Sequence, residues 1–149
     1  MVLIAALLGG VYLVMVPQNI KTHADGRSVV LLNQNERNKV LGEMRGLLET
    51  VQVVVQAATM GDMEAVAAAS SAVGMAAAQA ESPALIAKLP FEFKTLGMST
   101  HRAFDSLAET AQGTDDPTVV LTELGNIMDN CVACHSGYRL GVEGADNEG

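Results

Sequence analysis

The chain has few of the residues on which several classes of protein depend. It has no tryptophan, aromatic residues make up 3% of its 149 residues, and only two residues are cysteines. Basic residues are also scarce, with 9 Lys and Arg against 17 Asp and Glu, which gives a formal net charge of −8. Nucleic acid is therefore not an expected partner. No acid–base pair or nucleophile constellation is evident, so we do not expect an enzyme.

Both cysteines fall in one short run, Cys131-Val132-Ala133-Cys134-His135. A C-x-x-C-H pattern is typical of covalent attachment of a c-type haem. Each sulfur forms a thioether to the haem, and the histidine supplies an axial nitrogen to the iron. On a helix, residues spaced by three and four lie on one face, so all three side chains can face one porphyrin. The sequence predicts one covalent haem c.

Two other interpretations of the run are weaker. A structural zinc site needs four protein ligands, and the chain has no second C-x-x-C pair. A thioredoxin-like redox pair belongs in a βαβ unit, and the sequence contains no convincing strand.

The composition, dominated by alanine, leucine, valine and methionine, favours helices. We expect one domain at 25–140, followed by a flexible polar tail at 141–149. The last helix carries a heptad seam in which Cys131 and Cys134 occupy core positions, so the haem is expected against the interior of a helix bundle. The four predicted helices are about Val29–Thr59, Met63–Glu81, Phe91–Gln112 and Pro117–Leu140, with a helical turn between Pro83 and Pro90.

The N-terminal residues carry a second signal. Val2–Val16 is an apolar run without charge, and as a helix it spans about 22 Å. It crosses the roughly 30 Å hydrocarbon core only with help from residues up to Ile20. A secretory signal processed after Ala24 is the alternative, although no basic residue precedes the run. We expect residues 1–24 to form an uncleaved membrane anchor or a signal segment.

The orientation of such an anchor receives conflicting signals. Lys21 and Arg27 follow the apolar run, and the positive-inside rule would leave the body of the protein in the cytoplasm. Covalent haem attachment of this type occurs on the outer face of the membrane. We give the haem motif more weight and expect the periplasmic side of a bacterial membrane, or the soluble periplasm if the segment is cleaved.

At this point the sequence resembles the class II c-type cytochromes, the cytochrome c′ family. The last helix carries the family's C-x-x-C-H-x-x-Y-R ending, from Cys131 to Arg139. The first helix carries R-x-x-x-L-x-x-M at Arg37, Leu41 and Met44. The resemblance covers about Val29 to Leu140 and implies an all-α, antiparallel four-helix bundle with the haem on the last helix.

The resemblance also implies a role for each matching residue around the proximal side. Cys131 and Cys134 would hold the porphyrin, and His135 would be the proximal iron ligand. Arg139 would lie near that ligand and tune its basicity. Arg37 would pair with a haem propionate.

On the distal side the resemblance implies that Leu41 covers the iron, which would leave a high-spin haem open to NO or CO. Met44, one helical turn away, is the alternative as a sixth ligand, or it serves as core packing.

These expectations allow three functions, of which electron transfer is the one that we predict as the main role. The first is electron transfer with a redox partner protein or a membrane electron-transport complex, supported by the anchor. The second is NO or CO binding, for gas sequestration or sensing, supported by Leu41. The third is an accessory haem subunit of a larger membrane complex. Family members often dimerise through their first helices, so a homodimer is one option for the oligomeric state.

Overall fold

The structure, a computed structural model, describes residues 20–145 of the chain. These residues are mostly helical, which confirms the prediction from composition, and three short strands form one sheet. The strands are β1 (Ile20–Thr22), β2 (Ser28–Leu32) and β3 (Tyr138–Val142), and the helices are α1 (Gln34–Met60), α2 (Met63–Ala72), α3 (Met75–Gln79), α4 (Pro83–Lys88), α5 (Phe91–Gly113) and α6 (Pro117–Gly137).

Local sequence signals set several of the helix ends. The Asn33 side chain accepts the backbone N–H of Glu36 at 2.9 Å, and the Glu36 carboxylate accepts the Asn33 N–H at 2.9 Å. This reciprocal capping box starts α1. Gly61 ends it with a φ of 74°, a conformation that favours glycine. Asp116 caps α6, and Pro117 occupies its first turn.

The prediction of one continuous helix over Met63–Glu81 is wrong, because α2 ends and α3 begins within that range. Two side chains of α5 stabilise the break between α2 and α3. Nδ1 of His101 lies 2.7 Å from the carbonyl oxygen of Val73, and the Asp105 carboxylate accepts the backbone N–H of Met75 at 2.8 Å. These contacts satisfy backbone groups that an uninterrupted helix would pair internally. The His101 side chain therefore bonds to the backbone at this break.

The expectation of a chain without strands is also wrong. The residues predicted to begin the first helix lie in β2, and those predicted to end the last helix lie in β3. The two strands pair in parallel, with Val30 opposite Leu140, and β1 pairs antiparallel to β2, with Ile20 opposite Val30. Buried Val29 and Val30 suit a strand because they are β-branched.

The described residues bury two apolar clusters. The main core lies among α1, α2, α5 and α6 and includes the fully buried Phe104 and Leu107. The second core cluster lies where β2, α1, α4 and α5 meet, and consists of Val30, Leu32, Val40, Leu85, Leu89 and Phe93. Cys134 and Tyr138 pack against the second cluster, so this cluster supports the end of α6 that carries the C-x-x-C-H run.

The predicted anchor or signal segment lies largely outside the described residues, since Val2–Val16 is not among them. Ile20, expected at the end of the apolar span, belongs to β1. Within residues 20–145, no helix combines the length and the apolar composition needed to cross a membrane. At the other end, β3 extends to Val142, two residues into the expected polar tail.

A methyl group at Gly74 should disrupt the break between α2 and α3. A Cβ there would lie 1.8 Å from Oδ1 of Asp105, so the carboxylate would have to leave the Met75 N–H. We expect Gly74→Ala to lower the free energy of unfolding by about 1–3 kcal/mol, measured by chemical denaturation. Gly125→Ala is the control, because nothing lies within 4 Å of its Cβ. That variant should gain about 1 kcal/mol from helix propensity. Equal effects of the two substitutions would contradict the role assigned to Asp105.

Glu43 of α1 lies in a small charged cluster with Lys39 and Glu81. Nζ of Lys39 lies 2.6 Å from Oε2 of Glu81 and 4.0 Å from Oε1 of Glu43. Desolvation, with a further contribution from the neighbouring Glu81 carboxylate, raises the pKa of Glu43 to about 7. Lys39 therefore lies much closer to Glu81 than to Glu43. Of the two carboxyls, Glu43 is the one that holds a proton near neutral pH.

Glu43 should make the stability of the fold depend on pH. Between the ordinary pKa of 4.5 and about 7, the folded chain binds more protons here than the unfolded chain. The free energy of unfolding therefore falls as pH rises through this window. Glu43→Gln, whose amide can donate to Glu81 as the protonated acid does, should melt at a higher temperature than wild type at pH 8 and at a similar temperature at pH 4. Glu49→Gln, at an exposed position of the same helix, should not alter the pH dependence. An unchanged pH profile in Glu43→Gln would refute the assignment.

Candidate cofactor site

The C-x-x-C-H run lies in the last two turns of α6. The buried seam of this helix is Val120, Leu124 and Ile127. Cys131 and Cys134 continue the seam at the predicted spacing, yet both are only half-buried, and His135 is exposed. The part of α6 that is buried against the core therefore ends where the C-x-x-C-H run begins.

The face of α1 beside this region also lacks full cover. The heptad spacing of α1 predicts an apolar seam of Leu41, Met44, Leu48, Val51, Val55 and Ala58, and of these only Ala58 is buried. Leu41 and Met44 are half-buried and Leu48 is 68% exposed. The buried residues of α1 are Val40, Thr50, Val54, Ala57 and Ala58, most of which lie on a neighbouring stripe. Because α1 carries two apolar stripes, its periodicity alone could not identify the one that packs.

A groove of about 300 Å³ opens between these two helices and the sheet. It brings together six of the seven side chains predicted to bind the cofactor, and Cys131 lies one helical turn before Cys134 on the same seam. The residues that line the groove are Arg27, Arg37, Leu41, Met44, Phe93, Cys134, His135, Tyr138, Arg139 and Leu140.

Three arginines line the groove although the chain as a whole is acidic. Nε of Arg37 donates to the carbonyl oxygen of Leu140 at 3.4 Å, which ties the first turns of α1 to β3. Nη1 of Arg27 donates to the carbonyl oxygen of His135 at 3.4 Å. The groove is therefore suited to an anionic ligand, because arginine forks match carboxylates.

The turn between β1 and β2 holds two of these arginines. The Asp25 carboxylate pairs with Arg27 at 2.7 Å, and this contact holds the pKa of Asp25 well below its usual range. Nη1 of Arg139 lies 2.6 Å from Nε2 of His23. Arg139 thus lines the groove with His135, and its guanidinium is directed towards the β1–β2 turn.

Sequence reasoning did not identify four of the lining residues as part of the site. Phe93 and Tyr138 meet edge to face, with ring centroids 5.4 Å apart. Both lie on apolar stripes at helical spacing in the sequence, Phe93 with Thr100 and Phe104, and Tyr138 with Cys131 and Cys134. The helical spacing of apolar residues could therefore have identified both rings as part of the site. Arg27 and Leu140 reach the groove through the pairing of β1, β2 and β3, and no local motif signals this.

The chemistry of the two thiols disfavours the alternatives to haem. Burial raises the pKa of both Cys131 and Cys134, whereas reactive redox cysteines have lowered values. Within residues 20–145, no three or more His, Cys, Asp or Glu side chains converge as metal ligands. The run therefore has neither the activated thiolate nor the ligand cluster that the thioredoxin-like and zinc interpretations require.

The residues fit a c-type haem. The half-buried thiols of Cys131 and Cys134 lie on one face of α6, and His135 supplies an imidazole in the next position. The apolar walls suit a macrocycle, and the arginines suit its carboxylates. Bound there, the iron would supply one-electron redox chemistry and a binding position for small gases.

Comparisons of the chain with protein-family models, curated proteins and solved structures found no match. The resemblance to class II c-type cytochromes therefore rests on the motif residues and stays a prediction.

The raised thiol pKa values should be measurable in chain prepared without haem. Cys131 and Cys134 should react slowly with iodoacetamide at pH 7.5, and the rate should rise only as pH exceeds the ordinary value of 9.0, because the thiolate is the nucleophile. The control is Ser136→Cys with both native cysteines replaced by serine, which exposes a thiol on the same turn. It should react faster at pH 7.5. Equal rates would show that burial at the groove does not suppress ionisation.

Proposed function

We propose that this chain is a c-type haem protein of the class II cytochrome kind whose main role is electron transfer. One observation supports this above the others. The groove gathers Arg37, Leu41 and Met44 from α1 with Cys134 and His135 from α6. These are the residues that the resemblance assigned to one haem from two motifs far apart in the sequence. We further propose that the long helices form an antiparallel four-helix bundle with the haem on the last helix.

Each residue has a defined part in this proposal. The thiols of Cys131 and Cys134 would attach the haem, and the His135 imidazole would bind its iron. Arg37 and Arg139 compensate carboxylate charge, while Phe93 and Tyr138 exclude water from one side. Exclusion of water and fixed charge are the means by which a protein tunes a haem potential.

Binding of NO or CO is the second candidate, and packing in the groove favours it. Leu41 and Met44 both line the groove, and Met44 also packs against the second core cluster. This arrangement supports Leu41 as the cover of the distal side and Met44 as packing. A leucine cover excludes large anions and admits small uncharged gases.

We propose the periplasmic side of a bacterial membrane as the location, with a redox protein or a membrane electron-transport complex as the partner. β1 begins at Ile20, only a few residues after the apolar run, and it joins the sheet that borders the groove. A tether at this point would keep the groove close to membrane partners and raise their local concentration.

The optical spectrum of the dithionite-reduced protein tests this function and separates its two forms. Wild type made in a host that attaches haem should keep the group after denaturation. It should also show a high-spin Soret band with a broad visible region, and Met44→Leu should not change that spectrum. Sharp α and β bands that disappear in Met44→Leu would identify Met44 as sixth ligand and favour dedicated electron transfer over gas binding.

The matched controls are a Cys131→Ser, Cys134→Ser double variant and Ser136→Ala. The double variant should lose haem on denaturation, whereas Ser136→Ala, at an exposed position of the same turn, should keep it. Wild type without a Soret band would refute the proposed function.

A further inference from the structure

The β1–β2 turn, residues 23–27, contacts the end of α6 although the two segments are distant in the sequence. Arg27 reaches the His135 carbonyl oxygen across 108 residues of chain, and Arg139 reaches His23 across 116. The turn thus touches both the proposed axial ligand residue and the arginine one turn beyond it. No role was assigned to it by the sequence.

Asp25 is the centre of these contacts. Its Oδ2 accepts Nη2 of Arg27 at 2.7 Å and Nε at 3.0 Å, and its Oδ1 accepts the Arg27 backbone N–H at 3.1 Å. A fork of this kind fixes the plane and direction of a guanidinium. The remaining nitrogen of the same guanidinium, Nη1, donates a hydrogen bond to the carbonyl oxygen of His135.

Asp25 also faces the second arginine. Its Oδ2 lies 3.9 Å from Nη1 of Arg139, and its Oδ1 lies 2.9 Å from Nδ1 of His23. One carboxylate therefore stands between two guanidiniums that line the groove. Its side chain is 38% exposed, and ion pairs at such positions contribute little to stability. Orientation and charge, rather than stability, are what this carboxylate can supply.

We propose that Asp25 is a positioning residue for the haem site: its carboxylate holds Arg27 and Arg139 beside His135 and offsets their charge. This inference rests on the proposed function. It makes the β1–β2 turn the element that sets the charge next to the axial ligand. Removal of the carboxylate takes one negative charge from beside the two guanidiniums, which favours the reduced and less positive haem.

The test compares the midpoint reduction potential of the haem-loaded, full-length protein with that of three variants. Asp25→Asn should raise the potential with little change in melting temperature, and Asp25→Glu should return it towards wild type. Glu109→Gln is the matched control. It removes the same charge from an exposed position of α5, about 24 Å along that helix from Phe93, where solvent screens it.

A second measurement uses haem-free protein. The Nε–H signal of Arg27 in ¹⁵N NMR should be protected from exchange in wild type and in Glu109→Gln, and exposed in Asp25→Asn. This readout reports the contact whether or not haem is bound.

The outcomes separate the two proposals. Wild type without haem would overturn both. Haem-loaded wild type with equal potentials in Asp25→Asn and Glu109→Gln, or with an Arg27 signal unaffected by Asp25→Asn, would overturn the positioning role alone.

Discussion

The parallel pairing of β2 with β3 is the constraint on which the candidate site depends. β2 leads into α1 and β3 follows α6, so this ladder fixes the start of one helix against the end of the other. The groove is the space left between them. Two further side chains, Arg37 and Lys88, maintain the same arrangement. Arg37 bonds to the Leu140 carbonyl oxygen, and Nζ of Lys88 lies 2.8 Å from Glu36 and 3.2 Å from Glu143.

The fold also explains the uneven cover of α6. Val120, Leu124 and Ile127 are packed by the neighbouring helices, whereas Cys134 lines the groove and Cys131 lies one turn before it on the same seam. A protein interior normally leaves few voids next to a seam of core residues. Beyond Ile127 the seam of α6 is only half-covered, and three arginines lie at the edge of the groove beside it. The proposed cofactor would use this open surface and these charges.

Local patterns predicted much of the structure, and contacts between distant segments account for the rest. The C-x-x-C-H-x-x-Y-R ending and the Arg37, Leu41 and Met44 motif contain most of the residues that line the groove. Helical periodicity predicted α5 to within a residue. The break before Met75 was missed because it depends on Asp105, 30 residues further on. The sheet was missed because β2 consists of Ser28 and four apolar residues, a short run that a helix could equally contain. Arg27 was missed as a consequence, since only the sheet brings it to α6.

The β2–β3 ladder has a consequence for the order in which the chain acquires its structure. It closes a loop of more than 100 residues, as the contacts of Arg27 and Arg37 measure, and such closure is slow compared with helix formation. Until β3 forms, β2 has β1 alone as its partner among the described strands. Up to that moment the groove between α1, the sheet and the end of α6 has not yet formed beside the two thiols. The proposed covalent attachment of haem would therefore have its easiest access early, after the helices have formed and before β2 and β3 pair.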